Sequence, residues 1–436
     1  MKVAIIGSGI GGCSTAHFLK ELIAEPLDIT IFECENRIGG RLLFKKINSI
    51  TVEIGGTFFH SINLTVQDFA EKFSLDTEEF ILPIIGVWNG SKFIYKSSSS
   101  SLVTNLRLIF RYRMGAIKLS TLLKRAKKQI LQVYANNRLA KHYNTCEELF
   151  GSNFILDCAR KTLEEVLKEN GVSLSLIKEI IEPGTRYIYH QNINIGGFAG
   201  IATIIASDGS PIYKFKNGNI ELNKALLKSA NANVKLNQRI RKITRTDNET
   251  YILSTQRGDS EEYDAVFIAA PLEQADIEFE NLSIPDLKKR EFRQVYIKLI
   301  VGQVNPEYFG MKDISEIPEL ILTTADFTGP FDNLETLGKS EEGKYVYNLF
   351  SLSPISNELL EKMFSECLLE EDFHWEYAHP VTKPVTQKFQ PFKLGPRLLY
   401  INTVESLAST METMSVAARN TVLLLKKELQ PEKLRK

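Results

Sequence analysis

The stretch Val3-Ala-Ile-Ile-Gly-Ser-Gly-Ile-Gly-Gly12 opens on an apolar run and ends on closely spaced glycines. A short run without polar residues is typical of a central parallel strand, which is buried on both faces. The glycines fit the pattern G-x-G-x-x-G, and apolar residues at helical spacing follow them. A second apolar run, 27–32, ends on Glu33, which lies twenty-one residues after Gly12. This order of strand, glycine turn, helix and acidic strand end predicts a dinucleotide-binding fold.

Each part of this fingerprint has a physical role. The first glycine permits a tight turn, the second lets the backbone approach a pyrophosphate, and the third allows the helix to pack closely on the strand. The helix N-terminus offers free N–H groups and a positive dipole end to the phosphates. We therefore predict that the cofactor is bound by the glycine turn and by the acid, which accepts hydrogen bonds from a ribose: Gly7, Ser8, Gly9, Ile10, Gly11, Gly12 and Glu33.

Two further glycine pairs follow in Arg37-Ile-Gly-Gly-Arg41 and Val52-Glu-Ile-Gly-Gly-Thr57. Paired glycines let the backbone pass close to a second, extended part of the ligand, which an NAD enzyme does not need at this place. The arrangement resembles the large FAD family of amine oxidases and related flavoproteins, in which R-x-G-G-R follows the ribose acid. The resemblance implies FAD as cofactor, bound through Arg37, Gly39, Gly40, Arg41, Gly55, Gly56 and Thr57.

Later segments extend this resemblance. The runs 234–240 and 251–255 predict strands of a meander, and 263–271 is similar to the family's buried strand that ends at a ligand-facing turn. The C-terminal block 398–412 resembles the part of the family that completes the flavin site, and it contains no cysteine, so we expect non-covalent binding. The resemblance implies cofactor contacts at Ile240 (adenine), Ala270, Glu405 (ribityl or phosphate) and Met411 (a helix N-terminus at the flavin pyrimidine).

We accordingly expect an α/β fold. A FAD-binding Rossmann-type domain with a parallel sheet, discontinuous in sequence, takes residues 1–75, 206–285 and 390–436. An inserted α+β substrate domain takes residues 76–205 and 286–389.

The resemblance narrows to the prenylcysteine oxidase (prenylcysteine lyase) family along nearly the whole chain. Six segments carry it: Glu53–His60, Arg186–Gln191, Phe198–Gly200, Ser207-Asp208, Gly218-Asn219 and Glu405–Asn420. Membership implies oxidative cleavage of an S-farnesyl or S-geranylgeranyl cysteine, with FAD as hydride acceptor and O2 as final oxidant. The products would be the prenyl aldehyde, free cysteine and hydrogen peroxide.

Candidate substrate and catalytic residues come from the same segments. Arg186 is suited to pair with the substrate carboxylate, because a guanidinium group can bind a carboxylate in bidentate geometry. The alternative is that Arg186 forms a structural salt bridge. Tyr189 and Gln191 are further substrate candidates. His60 is either a flavin neighbour or a structural histidine. Lys298 lies in an apolar strand, where it either reaches the flavin, as a lysine does in amine oxidases, or faces solvent.

Composition excludes several classes of protein. Lys+Arg and Asp+Glu both number 53, so there is no basic surplus for nucleic acid. The five cysteines are scattered and predict reduced thiols, and the dispersed histidines predict no metal site. No apolar run reaches the length of a membrane span, and Lys2 leads straight into a strand without a visible signal peptide. We expect a cytoplasmic or peripheral membrane protein, or a lysosomal one if a leader has been removed.

One stretch is strongly basic. From Phe80 to Cys146 there is no Asp or Glu, while twelve Lys and Arg occur there. Apolar residues recur at helical spacing within 102–117, and a basic amphipathic helix is a membrane-surface pattern. We therefore expect peripheral membrane contact through the region 102–130; packing on the substrate domain is the alternative.

Two other functions stay open at this stage. An amine oxidase is favoured by Lys298, and a lipid- or membrane-associated FAD protein without turnover would keep the same fold.

Overall fold

The computed structural model describes residues 1–47, 50–135 and 137–430. The strands of the first half are β1 (Lys2–Ile6), β2 (Asp28–Phe32), β3 (Phe44–Ile47), β4 (Ile50–Glu53), β5 (Phe59–His60), β6 (Thr77–Glu79), β7 (Ile85–Trp88), β8 (Phe93–Lys96), β9 (Ile212–Phe215) and β10 (Asn233–Lys235). Those of the second half are β11 (Ile240–Arg245), β12 (Tyr251–Thr255), β13 (Ser260–Tyr263), β14 (Ala265–Ile268), β15 (Glu278–Glu280), β16 (Phe292–Val304), β17 (Leu320–Thr323), β18 (Asn333–Lys339), β19 (Tyr345–Ser351), β20 (Phe364–Pro380), β21 (Lys393–Gly395) and β22 (Leu398–Tyr400).

The α-helices are α1 (Ile10–Leu22), α2 (Leu64–Lys72), α3 (Ser101–Tyr112), α4 (Met114–Leu131), α5 (Cys146–Phe150), α6 (Asn153–Ala159), α7 (Leu163–Glu169), α8 (Leu174–Leu176), α9 (Glu182–Tyr189), α10 (Gly197–Ile205), α11 (Ile220–Ala230), α12 (Leu272–Ala275), α13 (Asn357–Met363) and α14 (Met411–Leu429). A π-helical turn, Ile177–Ile181, joins α8 to α9. Short 3₁₀ turns lie at Arg138–Ala140, Pro306–Phe309, Ile314–Glu316 and Asn402–Ser406.

A six-stranded sheet forms the predicted nucleotide-binding domain, in the order β10-β2-β1-β14-β22-β21. All of its neighbours are parallel except β21, which runs antiparallel to β22. The central strand β1 pairs with β2, which is near in sequence, and with β14, where Val3 lies opposite Ala265. The sheet thus combines three separated parts of the chain, and it confirms the predicted α/β fold. The predicted domain limits stay a prediction, and residues 431–436 lie outside the described part.

Both faces of this sheet are covered, which explains its unbroken apolar strands. Alternate residues such as Val3 and Ile5 face the core that contains α1, α11 and α14. Their neighbours Ala4 and Ile6 face a four-stranded sheet of order β13-β12-β11-β15. A strand buried on both sides has no polar alternation, as the sequence indicates.

A seven-stranded sheet, ordered β20-β16-β19-β18-β17-β7-β8, dominates the rest of the molecule. Its longest strands, β16 and β20, run antiparallel, with Ile297 opposite Phe373. One face carries the apolar cluster of Val295, Ile297 and Leu299, and the other carries that of Ile300 and Val304. Alternation along β16 therefore separates the two faces of the sheet.

Two local predictions were wrong. The run 234–240 is not one strand of a meander, because 233–235 is the parallel edge strand β10 and a separate strand starts at Ile240. The basic region 102–130 is not one helix: α3 ends at Tyr112, and Arg113, whose φ is 48°, separates it from α4.

Gly12 provides a test of the tight packing of α1 on β1. An added Cβ would lie 2.0 Å from the Gly7 carbonyl oxygen, and backbone cannot move aside cheaply. We expect Gly12→Ala to lower the free energy of unfolding by at least about 3 kcal/mol, measured by urea denaturation. Gly184→Ala is the matched control, because Gly184 lies within α9 with open space around it. That variant should be neutral or up to about 1 kcal/mol more stable, and equal losses in both would contradict the packing argument.

Candidate functional site

A cavity of 790 Å³ lies at the carboxyl ends of β1, β2 and β14 and extends to the seven-stranded sheet. In doubly wound sheets this edge is where ligands bind. Most of the predicted cofactor residues line it: Gly7, Gly9, Ile10, Gly11, Glu33, Arg37, Gly39, Gly40, Arg41, Gly55, Gly56, Thr57, Ile240, Ala270 and Met411. Residues distant in sequence are thus brought together, and their contact with a cofactor stays a prediction.

The N-terminus of α1 is shaped to receive an anion. Its N-cap residue is Gly9, which provides no side-chain cap, so the first N–H groups keep their donor capacity. Gly9 packs backbone to backbone with the second glycine turn, since a Cβ on Gly40 would lie 3.2 Å from the Gly9 Cα. Two glycine turns therefore leave open the space in front of the helix dipole, which is what a pyrophosphate requires.

Glu33 is held in place by its neighbours. One carboxylate oxygen accepts the Ser8 N–H at 2.9 Å and the Ser8 hydroxyl at 2.6 Å, and the other accepts the Glu35 N–H at 3.0 Å. Ser8 and Gly12 do not line the cavity, and their predicted contact with the cofactor stays a prediction. Ser8 positions Glu33, and Gly12 packs against the Gly7 carbonyl group, as its predicted packing role requires.

A buried charge network lies beneath the second glycine turn. The Glu405 carboxylate is fully buried and pairs with Arg41 and with Arg290, whose Nη1 is 3.2 Å away. Burial raises the pKa of Glu405, but the two guanidinium groups more than offset it and lower this pKa to about 2. Arg290 also donates to both carboxylate oxygens of Glu273 at 2.8 and 2.9 Å.

This network gives Glu405 a structural role beside the one that was predicted for it. Its side chain does not line the cavity, whereas Arg41 does. Glu405 therefore fixes Arg41 at the cavity wall, and its own predicted contact with the cofactor stays a prediction. Arg290 was missed in the sequence because it follows two lysines, Lys288 and Lys289, in an ordinary-looking basic run.

The N-terminus of α14 is partly occupied by the protein itself. The Thr410 side chain caps the helix by accepting the Thr413 N–H, so only the first N–H groups, including that of Met411, remain for a ligand. The next residue, Glu412, accepts the N–H groups of Thr65 and Val66 at 3.0 Å each and thereby caps α2. This buried carboxylate joins two helix ends at the cavity wall.

Glu53 links the glycine pair at 55–56 to the start of α11. Its carboxylate accepts the Asn219 N–H at 2.7 Å, while the Asn219 side chain donates to the Gly56 carbonyl oxygen at 2.7 Å. Burial raises the pKa of Glu53 to about 7, against the opposing effect of the Asn219 N–H. The family-like Gly218-Asn219 turn thus serves to hold the second glycine pair.

The far part of the cavity is mainly apolar. The Phe58 and Phe80 rings stack there with centroids 5.4 Å apart. Further lining comes from helices on one side and the seven-stranded sheet on the other: Phe59, Ile62, Ile130, Val133, Phe150, Ile155, Phe198, Ile205, Val295, Ile297, Leu337 and Phe350. This chamber can hold a hydrocarbon chain and exclude water from it.

Polar groups meet in the wall formed by β18, β19 and α9. Glu335 lies directly opposite Asn348 across the two strands and accepts a hydrogen bond from the Tyr187 hydroxyl at 3.3 Å. Burial raises the pKa of Glu335 to about 7, although the Tyr187 hydrogen bond and the charge of Lys214 oppose this. The side-chain oxygen of Asn348, Oδ1, has no hydrogen-bond partner among the described residues. All four side chains line the cavity.

Sequence reasoning missed this polar cluster. Glu335 and Leu337 alternate toward the cavity along β18, as Asn348 and Phe350 do along β19. An acidic residue at an inward position of a strand is the signal that could have found it.

Four histidines lie in the cavity wall: His60, His190, His374 and His379. Burial lowers the pKa of His379 to about 3, so it is neutral. The Nδ1 atom of His60 accepts the Ile62 N–H at 3.1 Å, and its Nε2 lies 3.6 Å from Asp208. His60 therefore lines the cavity and is also tied into the surrounding structure.

Three predicted functional residues lie outside the cavity. Arg186 pairs with Asp332 at 2.6 Å, which is the structural alternative to a substrate contact. Gln191 is buried and donates to the Pro380 carbonyl oxygen at 3.3 Å. Lys298 lies on the side of β16 opposite the cavity-lining Val295 and Ile297, with its Nζ 3.1 Å from Asp372.

The remaining one of the three substrate candidates, Tyr189, is better placed. Tyr189 lines the cavity at the end of α9, close to the His379 ring with centroids 5.7 Å apart. Its hydroxyl donates to the Ser409 carbonyl oxygen at 3.3 Å, next to the start of α14.

Comparison with known proteins gives the family. Residues 95–435 match the sequence pattern of the family described as prenylcysteine lyase. The chain belongs to the prenylcysteine lyase family. This confirms the resemblance found in the sequence, and residues 5–73 separately match an NAD(P)-binding Rossmann-like domain. Among curated relatives, the farnesylcysteine lyase of Arabidopsis thaliana is 32% identical, over 97% of this chain and 87% of the relative. Human prenylcysteine oxidase 1 is 27% identical, over 97% and 88%.

Solved structures show the same fold at much lower identity. A cyclohexylamine oxidase from Brevibacterium oxydans has a TM-score of 0.67 and 15% identity, covering 98% of this chain and 99% of that one. A putrescine oxidase variant has a TM-score of 0.65 and 13% identity, covering 98% of each chain. Membership in the prenylcysteine lyase family thus comes with the architecture of amine oxidase flavoproteins. None of the helices in the described ranges has the length and apolar content that crossing a bilayer requires.

The charge network beneath Arg41 can be tested by stability. Glu405→Gln leaves two guanidinium groups without their shared carboxylate in a buried site, and we expect a loss of about 3–5 kcal/mol at pH 7, measured by urea denaturation. Because the pKa of Glu405 is lowered, this stabilisation is lost as pH falls from about 4.5 toward 2. Glu358→Gln removes an exposed pair with Lys362 and should leave the urea midpoint close to that of the parent protein. If both variants changed stability to a similar extent, the buried network would not make the large contribution to stability that we expect.

Proposed function

We propose that this protein binds FAD non-covalently and oxidatively cleaves the thioether of S-prenyl cysteine. One observation carries the proposal: a single cavity joins the glycine cradle of a dinucleotide fold to an apolar, aromatic-lined chamber. A substrate with a long hydrocarbon tail needs such a chamber, and a redox cofactor needs such a cradle. Family membership supports this pairing of cofactor and substrate.

The residues present fit FAD. The free N–H groups at the start of α1 would bind the pyrophosphate, and the carboxylate of Glu33 would bind the adenosine ribose. Backbone at Ile240 and Ala270 borders the same end of the cavity. The glycine pairs 39–40 and 55–56, together with Arg41, would hold the part of the cofactor that extends toward the seven-stranded sheet. When bound, FAD supplies a two-electron acceptor.

The chemistry requires little of the protein beyond positioning. The carbon next to sulfur is allylic, so loss of a hydride gives a cation that sulfur and the double bond stabilise. Water adds to this carbon, and the hemithioacetal breaks its C–S bond as a proton passes to sulfur. Overall, thioether, water and O2 give aldehyde, cysteine and H2O2. The chain's contribution is to hold the reacting carbon and to exclude bulk water with rings such as Phe58 and Phe80.

The polar wall of the cavity is suited to the amino-acid end of the substrate. Glu335, once ionised, can accept hydrogen bonds from the α-ammonium group, and the free Asn348 oxygen can accept another. We place the cysteine end of the substrate against this pair and the isoprenoid tail in the aromatic chamber. Arg186, the residue first predicted for the carboxylate, is already paired with Asp332.

The amine oxidase alternative loses its specific support. It depended on Lys298, whose ammonium group is paired with Glu370 and Asp372 on the side of β16 away from the cavity. The polar pair of Glu335 and Asn348 serves an amine as well as an amino acid, so the deciding experiment must compare both kinds of substrate.

The direct test is anaerobic mixing of the purified, FAD-loaded protein with S-farnesylcysteine while the visible flavin band is followed. We expect the band to bleach, and peroxide and farnesal to appear once air is admitted. S-methylcysteine tests the role of the tail and should bleach the flavin at least about a hundredfold more slowly, since it buries almost no apolar surface. Farnesylamine separates thioether from amine oxidation. Bleaching by farnesylamine but not by S-farnesylcysteine would refute the proposal, as would a band that neither compound changes.

Glu335→Gln tests recognition of the ammonium group. Loss of a charged hydrogen bond costs about 1.5–3 kcal/mol, so we expect KM for S-farnesylcysteine to rise about tenfold to a hundredfold, with a much smaller change in kcat. Because only the carboxylate form binds an ammonium ion, kcat/KM of the parent protein should rise as pH increases through about 7, the pKa of Glu335. This rise should be absent in the variant.

Glu342→Gln serves as the control for this pair of measurements, because Glu342 is exposed in the turn that follows β18. It should keep both the KM and the pH profile of the parent protein. An unchanged KM in Glu335→Gln, or a pH rise that persists in it, would show that Glu335 does not bind the substrate.

A further inference from the structure

Helix α3 presents its apolar side chains to solvent. Leu102, Leu106, Ile109 and Phe110 keep 68%, 46%, 47% and 80% of their surface exposed. Tyr112 is the one fully buried residue of this helix. A surface helix of a globular protein normally turns its apolar stripe to the core, so this helix has the reverse orientation.

The helix geometry shows that the exposure follows from how α3 is attached. Its inward face is formed by residues spaced by four: Thr104, Leu108 and Tyr112. Tyr112 donates its hydroxyl to Glu179 at 2.8 Å, and Thr104 hydrogen-bonds with the backbone of Ser98. At 100° per residue the stripe through Leu106 and Phe110 lies on roughly the opposite side. Polar anchors therefore fix the helix so that its apolar stripe points away from the protein.

The exposed apolar surface continues beyond α3. In the first turn of α4, Met114 is 59% and Ile117 is 47% exposed. Gly115 contacts Ser173, so the neighbouring Leu174, which is 52% exposed, lies beside this turn. We call α3, the first turn of α4 and Leu174 the apolar patch. A contiguous patch of this kind marks an interaction site.

The chain segment that carries α3 and α4 bears charges of one sign, and Glu179 from outside this segment pairs with Arg111. The segment from Phe80 to Cys146 contains no acidic residue. Of its basic residues in the described ranges, Arg111 and Lys127 form ion pairs. The ammonium groups of Lys118, Lys124 and Lys128 lie outside these pairs and keep their charge for a partner. An apolar stripe bordered by unpaired cations is complementary to a membrane with anionic lipid headgroups.

We propose that the apolar patch docks this protein on an anionic lipid membrane. A second copy of the chain fits less well, because a symmetric contact would place lysines against lysines with no carboxylate from this segment to pair with them. The inference goes beyond the proposed function, as it concerns where the protein lies and not what it oxidises.

Docking through the apolar patch would bring the cavity close to the membrane that holds a prenylated substrate. Ile130, at the end of α4, and Val133 and Tyr134, just after it, line the cavity. Phe80 lines it too, and the next residues, Ile81 and Leu82, are 83% and 41% exposed. Residues of the basic stretch that precede and follow the patch in sequence, Phe80 on one side and residues within 130–134 on the other, therefore line the cavity. A hydrocarbon tail held in a bilayer would meet this part of the protein first.

The test is flotation of the full-length, FAD-loaded protein with vesicles of phosphatidylcholine alone and of phosphatidylcholine with phosphatidylserine. We expect binding to the anionic vesicles at low salt, weaker binding in high salt, and weaker binding to phosphatidylcholine alone. The double variant Ile109→Ser/Phe110→Ser should bind anionic vesicles at least about tenfold more weakly, because both side chains would enter the bilayer interface.

A matched control removes two exposed leucines elsewhere. Leu352 and Leu368 are 39% and 53% exposed near the seven-stranded sheet, so Leu352→Ser/Leu368→Ser should bind vesicles like the parent protein. Absence of vesicle binding by the parent protein, or equal binding by the two double variants, would overturn the proposal. The proposal would also be overturned if the parent protein formed a dimer that did not bind vesicles and that Ile109→Ser/Phe110→Ser converted to a monomer. Flavin reduction by detergent-dispersed S-farnesylcysteine is a separate readout that the patch variants should leave unchanged.

Discussion

The buried carboxylate of Glu405 is the point on which the rest of the structure depends. It pairs with Arg41 from the second glycine turn and with Arg290, which lies just before the long strand β16 of the seven-stranded sheet. Arg290 in turn binds Glu273, which follows β14. Charges from four separate parts of the chain thus neutralise one another at one buried place. A buried ion without its partners is costly, so these parts have one favourable arrangement, and it sets the cavity between the two sheets.

Much of the fold could be predicted because its signals are local or periodic. The glycine fingerprint needs only strand, turn and helix in sequence, and β1, α1 and β2 occur where the pattern indicates. The strand that leads to Ala270 was found by its apolar run. The edge strand β10 was not separated from the chain after it, because three residues beside a parallel neighbour carry too little pattern to distinguish them from a meander.

The candidate site was predicted unevenly for a physical reason. A backbone site for phosphates depends on glycines, which can be read directly from the sequence. Whether a charged side chain is available to a ligand depends on the residue it pairs with in the folded protein. Arg186 and Lys298 occur in segments that resemble the family or the amine oxidases. Each is nevertheless paired with an aspartate distant in sequence, Arg186 with Asp332 and Lys298 with Asp372. Glu335 faces the cavity because of strand alternation and register with β19, and neither is visible until the sheet is known. Such pairings are tertiary properties, and composition or spacing does not contain them.

The discontinuity of the six-stranded sheet also has a consequence for synthesis of the chain. Helix α1 packs against α14, and the Ser14 and Ser415 hydroxyls lie 3.0 Å apart although 401 residues separate them. Helix α1 therefore packs against a partner that is made about 400 residues later in the chain. A nascent chain holds its N-terminal glycine turn next to exposed apolar surface until nearly all of the sequence has been made. We therefore expect β1 and α1 to reach their final packing only after α14 is available, since contacts between residues this distant in sequence form slowly.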